Sequence, residues 1–119
     1  MNKRRIGSKY EDIAACFLKN EGVMIIDRNY RNRYGEIDIV GRKDGYFIFF
    51  EVKYRKDEAA GNPAEAVDVK KQYRISRVAD HFRIYRKLKD SDNVRFDVIS
   101  IMGSRIEWYK NAFDYIPAR

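Results

Sequence analysis

Two neighbouring hydrophobic segments of the chain carry acids where a β-sheet would normally carry apolar side chains. Glu36 and Asp38 alternate with isoleucines in the first segment, and Glu51 and Lys53 follow a run of aromatic residues in the second. Side chains alternate between the two faces of a strand, so the members of each pair are expected to share a face. Buried carboxylates are costly without a partner, and the hard cations Mg²⁺ and Mn²⁺ prefer oxygen ligands. The pattern therefore predicts a divalent-cation site.

A tight turn between the two segments would make them antiparallel neighbours, which brings Asp38 close to Glu51. We expect these two carboxylates to bind one Mg²⁺ or Mn²⁺ ion, with the Val52 carbonyl as a further oxygen ligand. Lys53 points to the same side as Glu51, where it can hold the attacking water, lower its pKa or neutralise charge at phosphorus. An acid followed by Glu-x-Lys on the next strand is the arrangement used by metal-dependent nucleases.

Side chains from two predicted helices are candidates to complete this site. Glu11 lies on the flank of an apolar stripe and could bind a metal-bound water or a second metal, and Gln72 could position water or a phosphate. Some of these acids and lysines could instead have a purely structural role. Glu51 and Lys53 could form an ion pair at a sheet end, worth only about 0–1 kcal/mol if exposed. For Glu36, at a strand start, a structural role is favoured over metal ligation.

Hydrophobic periodicity places these residues in the element order α-β-β-β-α-β-β. The spacing predicts helices over about 8–21 and 64–88, and strands over 23–30, 36–41, 46–54, 94–101 and 105–109. The run 47–50 is apolar on both faces, which is typical of a central strand. We predict a single domain, residues 1–119, with an α/β fold in which a mixed sheet carries one helix on each face.

The chain is strongly basic, with a net charge of +7 and a pI near 9.5, which favours a polyanionic partner. Seven basic residues near the acids are predicted to contact phosphates: Arg31, Arg33, Arg55, Lys56, Lys70, Lys71 and Arg74. Four tyrosines interleave with them, namely Tyr30, Tyr34, Tyr54 and Tyr73. These rings either stack on unpaired bases or complete the rim of the core.

The composition argues against membrane and secreted classes. No stretch approaches about 20 apolar residues, and no apolar segment follows the basic N-terminus, so neither a membrane span nor a secretory signal is predicted. The single cysteine, Cys16, excludes an internal disulfide and fits a reducing cytoplasm. We expect it to pack in the core as a small apolar residue.

The chain resembles the YraN-like family of small bacterial proteins over nearly its whole length. The matching positions are Gly7, Glu11, Asn29-Tyr30-Arg31, Gly35-Glu36-Ile37-Asp38, Phe50-Glu51-Val52-Lys53-Tyr54-Arg55, Lys71, Arg95-Phe96-Asp97-Val98 and Asn111-Ala112-Phe113. That family is similar to the restriction-endonuclease-like superfamily, and within it to archaeal Holliday-junction resolvases. The resemblance implies a restriction-endonuclease-like nuclease core with helix-acid, strand-acid and Glu-x-Lys positions, filled by Glu11, Asp38, Glu51 and Lys53. Gln72 falls near a helical Gln or Lys position. Ile37 stands where some of these nucleases have Pro before the strand acid.

The residues and the resemblance together predict a Mg²⁺-dependent endonuclease that hydrolyses DNA, with branched or Holliday-junction-like DNA as the implied substrate and RNA left open. Resolvase-like enzymes cut two strands symmetrically, which implies a homodimer. Two alternatives remain: a non-catalytic nucleic-acid-binding module on the same fold, and an adaptor that binds a protein through an aromatic surface. DNA binding in EDTA without cleavage in Mn²⁺ would favour the module, and salt-insensitive binding to a protein would favour the adaptor.

Overall fold

The computed structural model describes residues 3–56 and 67–119 of the chain, and of residues 3–7 it describes the backbone alone. The elements in chain order are α1 (Lys3–Asn20), β1 (Met24–Asn32), β2 (Gly35–Lys43), β3 (Tyr46–Tyr54), α2 (Val69–Tyr85), β4 (Asn93–Met102) and β5 (Arg105–Phe113). This is the predicted order α-β-β-β-α-β-β, and it is consistent with a restriction-endonuclease-like fold.

The five strands form one mixed sheet in the spatial order β1-β2-β3-β4-β5. β3 and β4 are parallel because α2 crosses over between them, and the other neighbouring strands are antiparallel. Asp44 and Gly45 close the β2–β3 hairpin with φ of 52° and 83°, as a two-residue turn of the primed type requires. β3 is the central strand, as the run 47–50 predicts.

A hydrophobic layer covers each face of the sheet. On one face α2 packs against the sheet, and the buried side chains include Ile37, Val40, Phe49, Val78, Phe82 and Phe96. On the other face α1 packs against the sheet, with Ala14, Leu18, Ile39, Ile48, Phe50 and Ile99. The prediction of one helix on each face is therefore confirmed. None of the helices in the described ranges is long and apolar enough to cross a bilayer.

Several element ends differ from the sequence prediction. α1 begins at Lys3 rather than at Ser8, because lysine and arginine are good helix formers and extend it. α2 begins at Val69 rather than at 64, because the Asp68 side chain caps it by accepting the Lys71 N–H at 2.8 Å; residues 64–66 lie outside the described ranges. The helix ends at Tyr85 instead of 88.

The last strand and the cysteine also differ from expectation. β5 continues to Phe113 instead of 109, because the Phe113 ring stacks on Phe96 of β4 at a centroid distance of 5.1 Å. Cys16 is exposed on α1, so its assignment to the core is wrong. The buried stripe of this helix contains Ala14, Ala15 and Leu18, and Cys16 lies off that stripe.

Candidate active site

The sheet opens between β2 and β3 at the position of Asp38. The β2–β3 ladder ends with the pair Ile39 and Phe50. One step farther along, the Val52 N–H donates to Asp38 Oδ2 at 2.8 Å, so a side chain replaces a strand carbonyl. Regular alternation in β2 is also lost here, because Ile37 packs in the α2 layer whereas Ile39 packs in the α1 layer. This opening allows polar side chains from both faces to meet at one end of the sheet.

Three carboxylates from α1 and β2 gather at the opening. Oxygen atoms of Glu11, Glu36 and Asp38 all lie within 4.8 Å of one another. With its amide nitrogen turned toward the acids, Asn29 donates to Glu11 Oε1 at 2.5 Å and to Glu36 Oε1 at 2.9 Å. The Arg31 guanidinium forms an ion pair with Glu36 Oε2 at 3.2 Å. Glu36 is therefore part of the acidic cluster, although its position at a strand start favours a structural role.

Glu51 lies beside this cluster and is held by two lysines. It is only 8% exposed, and its Oε1 atom is 2.6 Å from the Lys71 ammonium of α2 and 3.4 Å from the Lys53 ammonium. The Gln72 amide donates instead to the Val67 carbonyl at 2.8 Å. Lys71, which sequence reasoning assigned to phosphate contact, is thus the residue of α2 that reaches the acids.

The acids raise the proton affinity of one another. Burial raises the pKa of Asp38 to about 8, the charges of Glu51, Glu11 and Glu36 act in the same direction, and the Val52 N–H opposes them. Burial, followed by the charge of Glu36, also raises the pKa of Glu11. A carboxyl group whose pKa is raised in this way is stabilised by a bound proton or a bound cation. Acids with shifted pKa values are concentrated at functional sites.

The two lysines on Glu51 differ in their proton affinity. Burial lowers the pKa of Lys53, and a hydrogen bond with Lys71 lowers it further, while Glu51 opposes both effects. Burial also lowers the pKa of Lys71. The charge of Glu51 and the hydrogen bonds of Lys71 with Glu51 and Lys53 outweigh burial, so the pKa of Lys71 lies above its ordinary value. Lys53 is therefore the lysine more able to exchange a proton, and Lys71 is the permanent cation.

The predicted phosphate-binding residues differ in their exposure. Five of them are exposed, namely Arg31, Arg33, Lys56, Lys70 and Arg74, and two are partly buried, namely Arg55 and Lys71. Arg33 donates to the Tyr34 hydroxyl at 2.9 Å at the β1–β2 turn. Arg31 and Lys71 form the ion pairs with site carboxylates described above.

Asn29 contacts the acids although no pattern in the sequence predicts this role. Its backbone has a φ of 54°, a left-handed conformation that asparagine tolerates better than most residues. Asn29 belongs to the segment 29–31 that supports the family resemblance, which was the one available signal.

Comparison with known proteins places these residues in a family. A family model described as "Uncharacterised protein family UPF0102" matches residues 10–101. A UPF0102 protein of Lachnoclostridium phytofermentans is 45% identical over 114 residues, which cover 96% of this chain and 97% of the relative. A relative from Fusobacterium nucleatum is 42% identical over 111 residues, which cover 93% of this chain and 92% of the relative. A relative from Vibrio parahaemolyticus is 36% identical over 113 residues, which cover 93% of each chain. The chain belongs to the UPF0102, or YraN-like, family, which confirms the resemblance inferred from its motifs.

Proposed function

We propose that this member of the UPF0102 family is a metal-dependent endonuclease that hydrolyses DNA phosphodiester bonds where β2 and β3 separate. One observation carries the proposal: acids and lysines from α1, β2, β3 and α2 converge at one open end of the sheet. Carboxylate oxygens of Glu11, Glu36 and Asp38 lie within 4.8 Å of one another, and the Glu51 carboxylate forms ion pairs with two lysines. Phosphoryl transfer needs little covalent chemistry from a protein, and this set supplies its main requirements, positioning and charge.

The donor set fits Mg²⁺ or Mn²⁺. The available donors are carboxylate oxygens, which these hard cations prefer. Burial and then the neighbouring acids raise the pKa of Asp38, and a bound cation would stabilise its charged form. Asp38 and Glu51 would hold the ion, with Glu11 and Glu36 beside it. When bound, the ion supplies Lewis-acid stabilisation of the charge that develops on the phosphoryl oxygens.

The lysines take separate roles in the proposed hydrolysis. Lys53 has a lowered pKa and lies 3.4 Å from Glu51, so its amine can accept a proton from the attacking water. Lys71 keeps its charge, fixes the orientation of Glu51 at 2.6 Å and offsets charge on the phosphate. Water adds to phosphorus, the bond to the leaving ester oxygen breaks, and that oxygen receives a proton.

Calorimetric titration with Mn²⁺ tests the proposal. Asp38→Asn and Glu51→Gln should stay folded and lose Mn²⁺ binding, whereas Lys53→Ala should retain it and slow cleavage of DNA. Glu21→Gln is the matched control, because Glu21 is an exposed acid that follows the end of α1, ten residues beyond Glu11. Equal Mn²⁺ affinity in wild type and Glu51→Gln would contradict the proposed site.

A second candidate is a non-catalytic nucleic-acid-binding module. The observation in its favour is that Lys53 and Lys71 already neutralise Glu51, so this carboxylate does not by itself require a metal. DNA binding that is unchanged by EDTA, together with no cleavage of any DNA form in Mn²⁺, would support the module over the enzyme. Cleavage of DNA in Mn²⁺ that Glu51→Gln loses would support the enzyme.

A further inference from the structure

The four tyrosines that interleave with basic residues have different surroundings. Tyr30 packs edge-on against Phe82 at 5.2 Å, and an arginine lies over the ring of Tyr34 (Arg33, 4.9 Å) and over that of Tyr73 (Arg77, 4.7 Å). Tyr54 ends β3, is 43% exposed and stacks one face of its ring on Tyr10 of α1.

Tyr10 and Tyr54 form a stacked pair at the edge of the α1 layer. Their ring centroids are 4.1 Å apart and the ring planes differ by 16°. A hydrogen bond between the two side chains is the main cause that raises the pKa of Tyr10. Each ring therefore fixes the other, and a flat ligand that stacks on the exposed ring would cost little side-chain entropy.

The pair lies next to the acids on both elements that carry it. Tyr10 precedes Glu11 in α1, and Tyr54 follows Lys53 in β3. Tyr54 is the last residue of β3, so the pair lies at the same end of the sheet as Glu51 and Lys53. A base that stacks on Tyr54 would therefore lie at the same end of the sheet as a phosphate at the acids. Lys9 and Lys56, both exposed, flank the pair and favour a polyanion.

A paired base inside a continuous duplex cannot reach this surface, because its neighbours in the stack cover both of its faces. Only an unpaired, flipped or terminal base offers a free face. Stacking on an aromatic side chain accepts any base, since every base has such a face. The ligand that fits the pair is therefore a nucleobase without a stacking partner, with little preference for its identity.

We propose that Tyr10 and Tyr54 form a stacking platform for an unpaired DNA base beside the phosphate held at the acidic site. This inference rests on the proposed function for its location, and it narrows the substrate to DNA with a single-stranded branch, flap or gap. A continuous duplex would make the phosphate contacts without the stacking contact.

Fluorescence binding in EDTA tests the platform apart from cleavage. The probes are a continuous duplex and the same duplex with a single-stranded flap, whose first unpaired nucleotide is 2-aminopurine. Wild type should bind the flapped DNA about tenfold more tightly and quench the 2-aminopurine. Tyr54→Ala and Tyr54→Leu should lose both effects, and Tyr54→Phe should keep both. Leucine retains volume at this position without an aromatic face, so agreement between the two variants excludes a packing defect.

Tyr46→Ala is the matched control, because Tyr46 is the partly exposed tyrosine at the opposite end of β3. It should keep the preference for flapped DNA. Tyr54→Leu should also bind Mn²⁺ as wild type does, which separates loss of the platform from loss of the metal site. An equal affinity of wild type for both probes, or an undiminished preference in Tyr54→Leu, would overturn the platform. A preference without cleavage in Mn²⁺ would leave the platform supported and count against the nuclease.

Discussion

Asp38 accepts the Val52 N–H at 2.8 Å, just beyond the last β2–β3 backbone pair. The bond satisfies a main-chain donor that would lose its partner where the two strands separate. It also stabilises the charged form of Asp38, but burial and the neighbouring acids outweigh it and leave the pKa near 8. One carboxylate thus closes the end of the ladder and responds to the charge of the whole site.

The raised pKa of Asp38 predicts a pH-dependent stability in the absence of metal. An unfolded aspartate has a pKa of about 3.9, so the folded state binds an extra proton between about pH 4 and pH 8. The free energy of unfolding should therefore fall as pH rises through that window. Asp38→Asn should be more stable than wild type at pH 8.5 by at least about 1 kcal/mol, and the difference should shrink toward pH 5.

Urea unfolding in EDTA from pH 5 to pH 8.5 measures this difference. Glu21→Gln, which changes an exposed acid that follows the end of α1, should follow the wild-type curve. Parallel curves for wild type and Asp38→Asn across the window would contradict the electrostatic origin of the shift.

Asp97 is predicted to stabilise the fold rather than to act in the site. It is 0% exposed and accepts hydrogen bonds from Arg95, the Trp108 indole and the Asn111 N–H at 2.8–2.9 Å. Asp97→Asn leaves Arg95 without its counter-charge and should lower the free energy of unfolding by about 3 kcal/mol. Trp108 fluorescence during urea unfolding reports the loss, and Mn²⁺ affinity of the folded protein should not change. A stable Asp97→Asn variant that fails to bind Mn²⁺ would place Asp97 in the site.

The order of elements followed from short-range patterns. The run 47–50 is apolar on both faces because a helix covers each face of the sheet. The Asp44–Gly45 turn needs positive φ angles at both residues, which few residue types adopt easily. Element ends were less predictable, since they depend on contacts that are distant in sequence or on single caps. The stack of Phe113 on Phe96 extends β5, and the Asp68 cap sets the start of α2.

The site was predictable where strand alternation holds. Glu51 and Lys53 lie on one face, as alternation predicts, and they form an ion pair. Glu36 and Asn29 depend on the irregular backbone around Asp38, which local periodicity does not reveal. On α2, one position separates Gln72 from Lys71. Consecutive residues of an α-helix point about 100° apart, so these two side chains reach different partners, Glu51 for Lys71 and the Val67 carbonyl for Gln72.

DNA binding should depend steeply on salt, and two exposed residues of α2 should contribute to that dependence. Lys70 and Arg74 lie on the first turns of the helix, near Lys71. Each phosphate contact adds about −0.9 to the slope of log affinity against log salt, so Lys70→Ala and Arg74→Ala should each reduce it by about one. Lys19→Ala, an exposed lysine in the last turn of α1, is the control. An affinity unchanged between 50 and 200 mM salt, measured by fluorescence anisotropy, would contradict a phosphate-binding role for the charge.

The contact between Lys71 and Glu51 gives the sharpest test of how the site is organised. The Lys71 ammonium lies 2.6 Å from Glu51 Oε1, where it competes with a divalent cation for the same oxygen. Lys71→Met should therefore bind Mn²⁺ several-fold more tightly, yet cleave DNA at least about tenfold more slowly, because a cation that offsets phosphate charge is lost. The metal-free variant should lose about 1 kcal/mol of stability, since the ion pair is partly exposed.

The pH dependence of cleavage separates this role from simple misfolding. The hydrogen bond with Lys71 helps to lower the pKa of Lys53, so Lys71→Met should raise that pKa and move the rising limb of the rate profile to higher pH. Gln72→Ala is the matched control on the same helix turn, because the Gln72 amide donates to the Val67 carbonyl at 2.8 Å. It should retain the wild-type Mn²⁺ affinity and pH profile. If Gln72→Ala shifts the profile and Lys71→Met does not, Gln72 takes the helical role and the assignment of Lys71 is wrong.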